Sequence, residues 1–401
     1  PLVVCRTYAP ALTMMTTRPE DLTPLQQTQW MAAQAQVLAD NQRRTYSVAT
    51  KDLLVGLNPP QQRAVSAQQG PILVLAGPGS GKTRVLTHRV GYLIATGEEP
   101  SSIVTVTFTN KAANEMRKRI KDMLGVKNNS DLTVMVGTFH GVCIRILRQY
   151  GEYLDLDPNF TIFDAAQQTE IVKQAMTELN WDTDKFKPQN IRGMISKLKN
   201  EGLHHEEVHK SAQIKEAGND AKKKEAWLIK VSEVWKVYQE ELKKSCGVDF
   251  DDILLFTREL LRNNPSVREE LRARWRHVLV DEWQDTNSPQ YELVRLLAAD
   301  REDPSVFVVG DVDQSIYSFR GADFRNVQRF EKDFKGTERV VLEVNYRSTS
   351  NIVLAAQAVI EKCKARVRKD MVAVKGEGNK IVMKRAFDAA EEGKFVAQKI
   401  R

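Results

Sequence analysis

Ile72-Leu73-Val74-Leu75-Ala76-Gly77-Pro78-Gly79-Ser80-Gly81-Lys82-Thr83 is an apolar strand running into a Gly-rich loop that closes on Gly-Lys-Thr. That order predicts a phosphate cradle at Ala76, Gly77, Pro78, Gly79, Ser80 and Gly81, whose small residues let backbone N–H groups turn onto an anion. Lys82 would reach the β- and γ-phosphates, and Thr83 would hold Mg²⁺. The run from Arg84 to Ala95 has helical character, so its positive N-terminal end would face the same anion. Ala76 stands where the usual motif has its first Gly, a tolerable exchange at a strand end. A Gly-rich turn without a ligand is the alternative, but it leaves the strand before and the Gly-Lys-Thr after without a purpose. The chain is therefore expected to bind a nucleoside triphosphate, ATP with Mg²⁺.

A chain of 401 residues has room for two or three domains. Its 42% hydrophobic and 28% charged residues are ordinary for a globular protein. A net charge of +7 permits a polyanionic partner without demanding one. Cys5, Cys143, Cys246 and Cys363 form no CxxC pair or disulfide framework, which suits a reducing compartment. No apolar run approaches the ~20 residues that span a bilayer. The chain begins at Pro1, as a fragment or processed product would. Residues 1–55 carry little regular pattern and are expected to be a mostly disordered extension; Glu20, Asp21 and Asp40 argue against a transit peptide.

Strands are expected at 72–76, 103–108, 133–136, 277–280, 306–309 and 339–343, several of them continuous and β-branched as in buried parallel sheets. Strands alternating with helices around a phosphate loop predict an α/β fold. Between about 146 and 247 the strands give way to helical patterns, read as an insertion. From 185 to 244 it carries 14 Lys and Arg against 9 Asp and Glu, either a solvated face or a nucleic-acid surface. His204, His205 and His209 lack the Cys or carboxylate spacing of a metal site.

The second half of a nucleotide site should be a strand ending in acid, and His277-Val278-Leu279-Val280-Asp281-Glu282 supplies it. Asp281 would bind Mg²⁺ directly or through water; Glu282 would position and deprotonate the attacking water. Asp281-Glu282-Trp283-Gln284-Asp285-Thr286 resembles the DEFQDT box of the UvrD/Rep/PcrA family of superfamily 1A DNA helicases. Other boxes follow in that family's order: Leu57-Asn58-Pro59-Pro60-Gln61, Thr107 to Ala113 (TFTNKAA), Gly137-Thr138-Phe139-His140, Val309 through Ala322 (GDxxQSIYxFRGA), and Asn345-Tyr346-Arg347-Ser348. Trp283 replaces the usual Phe, a change of packing rather than of chemistry. Ala76-Gly77-Pro78-Gly79 and Ile195 to Lys199 look closest to the family's fungal anti-recombinase branch, which implies a nucleus; a bacterial member would be cytoplasmic.

The resemblance implies a RecA-like P-loop domain at 56–145 and 248–336, a helical insertion at 146–247, and the start of a second RecA-like domain at 337–401. It implies that Gln61 reads the adenine edge, that Tyr346 and Arg84 sandwich the base, and that Gln314 and Arg347 contact the γ-phosphate. Gln314 is a neutral donor and acceptor suited to sensing that group, and Arg347 a fixed cation able to act as an arginine finger. For single-stranded DNA and its junctions with duplex, Phe108, Tyr317 and Phe319 are candidate stacking platforms. Thr109, Asn110, Thr138 and His140 are candidate phosphate or sugar contacts, and Arg320 would link the DNA and nucleotide sides. Phe108 and Phe139 could instead be core residues. The activity implied is that of an ATP-dependent 3′-to-5′ helicase or translocase in repair and recombination. The rival from another class is a non-catalytic DNA- or partner-binding fragment, which the intact Lys82, Thr83, Asp281, Glu282, Gln314 and Arg347 disfavour. A P-loop ATPase acting on something other than DNA is disfavoured by the TFTNKAA and QSIY boxes. Lacking the family's later boxes, the chain alone is expected to unwind duplex poorly.

Overall fold

The computed structural model describes residues 49–126, 132–316, 322–323, 325–363 and 368–400. Ten strands are present among them: β1 Pro71–Ala76, β2 Ile103–Thr107, β3 Met135–Thr138, β4 Thr161–Ile162, β5 Gly247–Val248, β6 His277–Val280, β7 Ser305–Gly310, β8 Glu338–Leu342, β9 Val344–Thr349 and β10 Val372–Lys375. Six form one sheet in the order β3-β2-β6-β7-β1-β8. Every pairing in it is parallel, so all six carboxyl ends share one edge.

The continuous apolar runs of the strands follow from burial on both faces. Successive side chains of a strand point to opposite sides. Leu73 and Leu75 face a core built with the helices Phe139–Tyr150, Phe250–Asn263 and Ser288–Ala298, while Ile72, Val74 and Ala76 face the helices Pro59–Ser66, Lys82–Ala95 and Asn110–Leu124. Phe139 is 7% exposed in the first of these cores, which decides it as a packing residue. Trp283 is fully buried, packed on Tyr291 and Phe330, with its indole N–H donating to the Asn326 carbonyl.

Helices fill most of 165–244 and share a third core around Val172, Ile195, Leu228, Val231 and Trp235. The strandless reading of that stretch misses one short pairing: β4 bonds in parallel to β5 and staples the two ends of the helical segment together. Lys199 is buried at its base, donating to Asp249 and to Asp252 at 2.6 Å each.

Two boundaries differ from the sequence reading. The extension drawn to residue 55 lies outside the described residues up to 48. Its end is packed rather than disordered, because Leu53 is a large apolar side chain buried against the helix Lys82–Ala95, and its carbonyl bonds His88 Nδ1. The strand placed at the start of the second unit, β8, pairs with β1 along its whole length and so completes the first sheet. Beyond it, β9 and β10 form a separate two-stranded parallel sheet beside the helix Ser350–Ile360. Among the described residues no helix is long and apolar enough to cross a membrane.

Candidate functional site

Ligands in open parallel sheets bind outside the carboxyl ends of the strands. Here the loops after β6, β7 and β1, three neighbours in the sheet, meet at that edge. Gly79 and Gly81 have φ of 65° and 87°, left-handed values that favour Gly, and Gly81 caps the helix starting at Lys82. Ala76 is the last residue of β1, buried in the core, so only its backbone can belong to a cradle. Gly77 is followed by the exposed Pro78 and the buried Ser80, whose hydroxyl donates back to the Gly77 carbonyl.

Lys82 Nζ donates to Gln314 Oε1 at 2.9 Å and pairs with Glu282 Oε2 at 3.3 Å. Gln284 Nε2 donates to Glu282 Oε2 at 2.9 Å, and Gln284 Oε1 accepts from the Asp311 backbone N–H at 2.8 Å. Asp311 Oδ2 accepts from Gln314 Nε2 at 2.6 Å. The five residues thus close a ring that ties phosphate loop, candidate base and candidate sensor together. Gln284 and Asp311 were not singled out from the sequence, although both lie within the boxes that carry Glu282 and Gln314.

Thr83 Oγ1 and Asp281 Oδ2 face each other at 3.5 Å. Burial, with Glu282 beside it, pushes the Asp281 carboxyl up to about 7. A hydroxyl and a desolvated carboxylate next to a second carboxylate form a hard-oxygen set that a divalent cation would relieve, so the residues fit Mg²⁺ bound with nucleotide. Glu282 itself has φ of 50°, a conformation uncommon outside Gly that turns the chain sharply after β6.

Gln61 is buried: its Oε1 accepts from the Asn58 backbone N–H and its Nε2 donates to the Ser80 carbonyl at 2.8 Å, so its amide braces the phosphate loop. Asn58 Nδ2 reaches Tyr346 OH at 2.8 Å. Tyr346 is 41% exposed and Arg84 is exposed on the first turn of its helix, both free to meet a planar ligand. The Asn345 side chain donates to the Pro78 carbonyl at 2.7 Å, and the Tyr346 N–H to the Gly79 carbonyl at 3.0 Å. A Cβ on Gly79 would lie 2.7 Å from Arg347 Cβ, so this close approach of β9 requires Gly. Arg347 is exposed directly over the loop.

Farther along the same edge, past β2 and β3, lies a cavity of about 380 Å³. Phe108, Thr138 and His140 line one side, and Ser196, Lys197 and Asn200 of the helix Pro188–Asn200 line another. Phe250 also lines it, with its ring edge-on to His140 at 5.7 Å. Burial lowers the His140 pKa, favouring a neutral ring. Thr109 and Thr138 cap helices, accepting from the Ala112 and Gly141 N–H groups, which leaves each hydroxyl proton for another acceptor. Asn110 is exposed at the start of its helix. Asp285 lines the same cavity and accepts from Gln284 Nε2 at 3.1 Å, so it touches the five-residue ring directly. Tyr317, Phe319 and Arg320 lie outside the described residues.

A parallel sheet with this loop at its carboxyl edge, facing an acidic strand end, is the fold of the P-loop nucleoside triphosphatases. Residues 57–335 match the UvrD/REP helicase N-terminal domain, and residues 340–401 match the UvrD-like helicase C-terminal domain. The chain is 42% identical to the ATP-dependent DNA helicase PcrA of Bacillus subtilis over 88% of its own length and 46% of the relative's. It is 41% identical to PcrA of Leuconostoc citreum over 88% and 45%, and 41% identical to DNA helicase II of Escherichia coli over 87% and 46%. The chain belongs to the UvrD/REP helicase family. It spans about half the length of these curated relatives.

Proposed function

We propose that this chain carries the ATP-binding motor domain, and the opening of the second, of an ATP-dependent 3′-to-5′ DNA helicase or translocase. The motor domain takes in 56–145 and 248–336 together with the packed Leu53 and the strand β8, with the insertion at 146–247. The observation that carries the reading is the adjacency, on one sheet edge, of the Lys82–Glu282–Gln314 cluster and the cavity walled by Phe108, His140 and Phe250. Lys82 binds the β- and γ-phosphates, Glu282 takes the proton of the attacking water, Gln314 senses the γ-phosphate, and Arg347 stabilises charge on it. Thr83 and Asp281 would hold Mg²⁺, which would supply positive charge against the phosphates when nucleotide is bound. Tyr346 and Arg84 hold the adenine. Single-stranded DNA stacks on Phe108, Tyr317 and Phe319, and its backbone meets Thr109, Asn110, Thr138 and His140. The name of the relatives supports ATP and DNA as the substrates, and their bacterial origin favours the cytoplasm over a nucleus. Polarity and a role in repair rest on the family resemblance.

The test is ATP hydrolysis by the 401-residue chain with and without single-stranded oligonucleotide, beside Lys82→Ala. Turnover that rises with DNA and vanishes in the variant is the expected result. Turnover indifferent to DNA would overturn the DNA reading. No turnover with nucleotide binding intact would favour the non-catalytic reading of the chain.

A further inference from the structure

Lys369 is 2% exposed on the segment leading into β10. Its ammonium bonds Asp311 Oδ1 and lies 3.1 Å from Asp313 Oδ2. Asp311 is fully buried at the end of β7, and its other oxygen holds Gln314 Nε2. Gln314 in turn accepts from Lys82. One unbroken path therefore runs from the β10 segment to the lysine of the phosphate loop. Two residues on, Met371 covers that loop, since a Cβ on Gly77 would lie 2.0 Å from its sulfur. The same short stretch thus grips the candidate sensor with Lys369 and the phosphate loop with Met371, beside a cavity of about 410 Å³ that both residues line.

We infer that Lys369 is a positioning residue for the γ-phosphate sensor, acting through Asp311; this rests on the nucleotide-site reading above. A buried carboxylate needs a paired cation, and Lys369 supplies it. The paired carboxylate fixes which end of the Gln314 amide faces Asp311 and which faces Lys82. Movement of the β10 segment against the phosphate loop is thereby transmitted to Gln314. Without Lys369, Asp311 is an uncompensated buried acid and its hold on the amide is lost.

The test compares the affinities of the 401-residue chain, with Mg²⁺, for ADP and for the β,γ-imido analogue of ATP. Wild type is expected to prefer the triphosphate. Lys369→Met should shrink that preference about tenfold, chiefly through the analogue, as expected for losing a charge-assisted contact. It should also lower Tm. The neutral pair Lys369→Met with Asp311→Asn should regain Tm without regaining the preference, which a purely structural salt bridge would not produce. It carries the test if the single variant fails to fold. A wild-type preference kept in either variant overturns the inference. A wild-type chain that binds neither nucleotide overturns the nucleotide-site reading itself.

Discussion

Lys82 donates to Gln314 Oε1 at 2.9 Å, so the cation of the phosphate loop and the amide assigned to the γ-phosphate touch across 232 residues of sequence. Gln314→Glu would place a carboxylate against Lys82, cancel its charge and repel a γ-phosphate. Triphosphate affinity should fall about tenfold or more, and ADP affinity less, because a charge-assisted contact is worth about 1.5–3 kcal/mol. Equal losses for both nucleotides in a binding titration would remove Gln314 from the γ-phosphate.

Asp281 titrates at about 7 because it is buried and because Glu282 is its neighbour. The unfolded carboxyl titrates near 4, so the native state binds the proton better between those values. The stability it contributes is full below about pH 4 and lost as pH rises through about 7. Asp281→Asn should therefore raise Tm at pH 8 relative to wild type, by roughly 3 °C, and by less at pH 5. Asp251, Asp252 and Asp285, each pushed up to about 6, share the window, so the readout is the difference between variant and wild type. Mg²⁺ and nucleotide favour the ionised carboxylate. Their binding near neutral pH should release protons, seen as calorimetric heats that vary with the buffer's ionisation enthalpy.

The four central strands β2, β6, β7 and β1 were legible because both-sided burial writes itself as continuous apolar runs, and the phosphate loop because its glycines have no other use in that order. Pairing partners leave no such mark. Nothing local to Glu338–Leu342 says that it bonds β1 rather than opening a new sheet. The same holds for single side chains reaching across the fold. Nothing in the sequence around Lys369 and Lys199 marks them as buried, yet both are buried against two aspartates each. The sequence suggests Gln61 as a reader of adenine, but its bond to Ser80 depends on a helix cap that aims it inward. Phe108 and Phe139 follow strands alike and both line the cavity; only burial in the core separates Phe139 from the half-buried Phe108.

That separation predicts opposite phenotypes. Phe139→Ala removes a ring from a packed core and should cost about 3–5 kcal/mol of stability in a denaturant melt. Phe108→Ala removes a half-buried ring lining the cavity and should instead weaken single-stranded DNA binding, by about 1–3 kcal/mol if one base stacks on it. Fluorescence anisotropy with a labelled oligonucleotide reads the second effect. A Phe108→Ala chain that melts early and binds DNA normally would make Phe108 a packing residue.

Lys199 is fully buried between Asp249 and Asp252, and Tyr238 donates to Asp249 at 2.8 Å. Its helix carries Ser196, Lys197 and Asn200 into the cavity proposed for DNA, and Asn200 also reaches Asp251 and Asn287. Lys199→Met would leave two buried carboxylates without their cation, a loss of about 3–5 kcal/mol. The wall of the cavity is hung on that anchor, so DNA affinity should fall with stability even at temperatures far below melting. Neutralising Asp249 and Asp252 as well should recover most of the stability, because the desolvation cost disappears along with the attraction. If affinity returns with it, packing of the helix is what the cavity needs; if stability returns alone, the ion pair itself sets the position of Lys197 and Asn200.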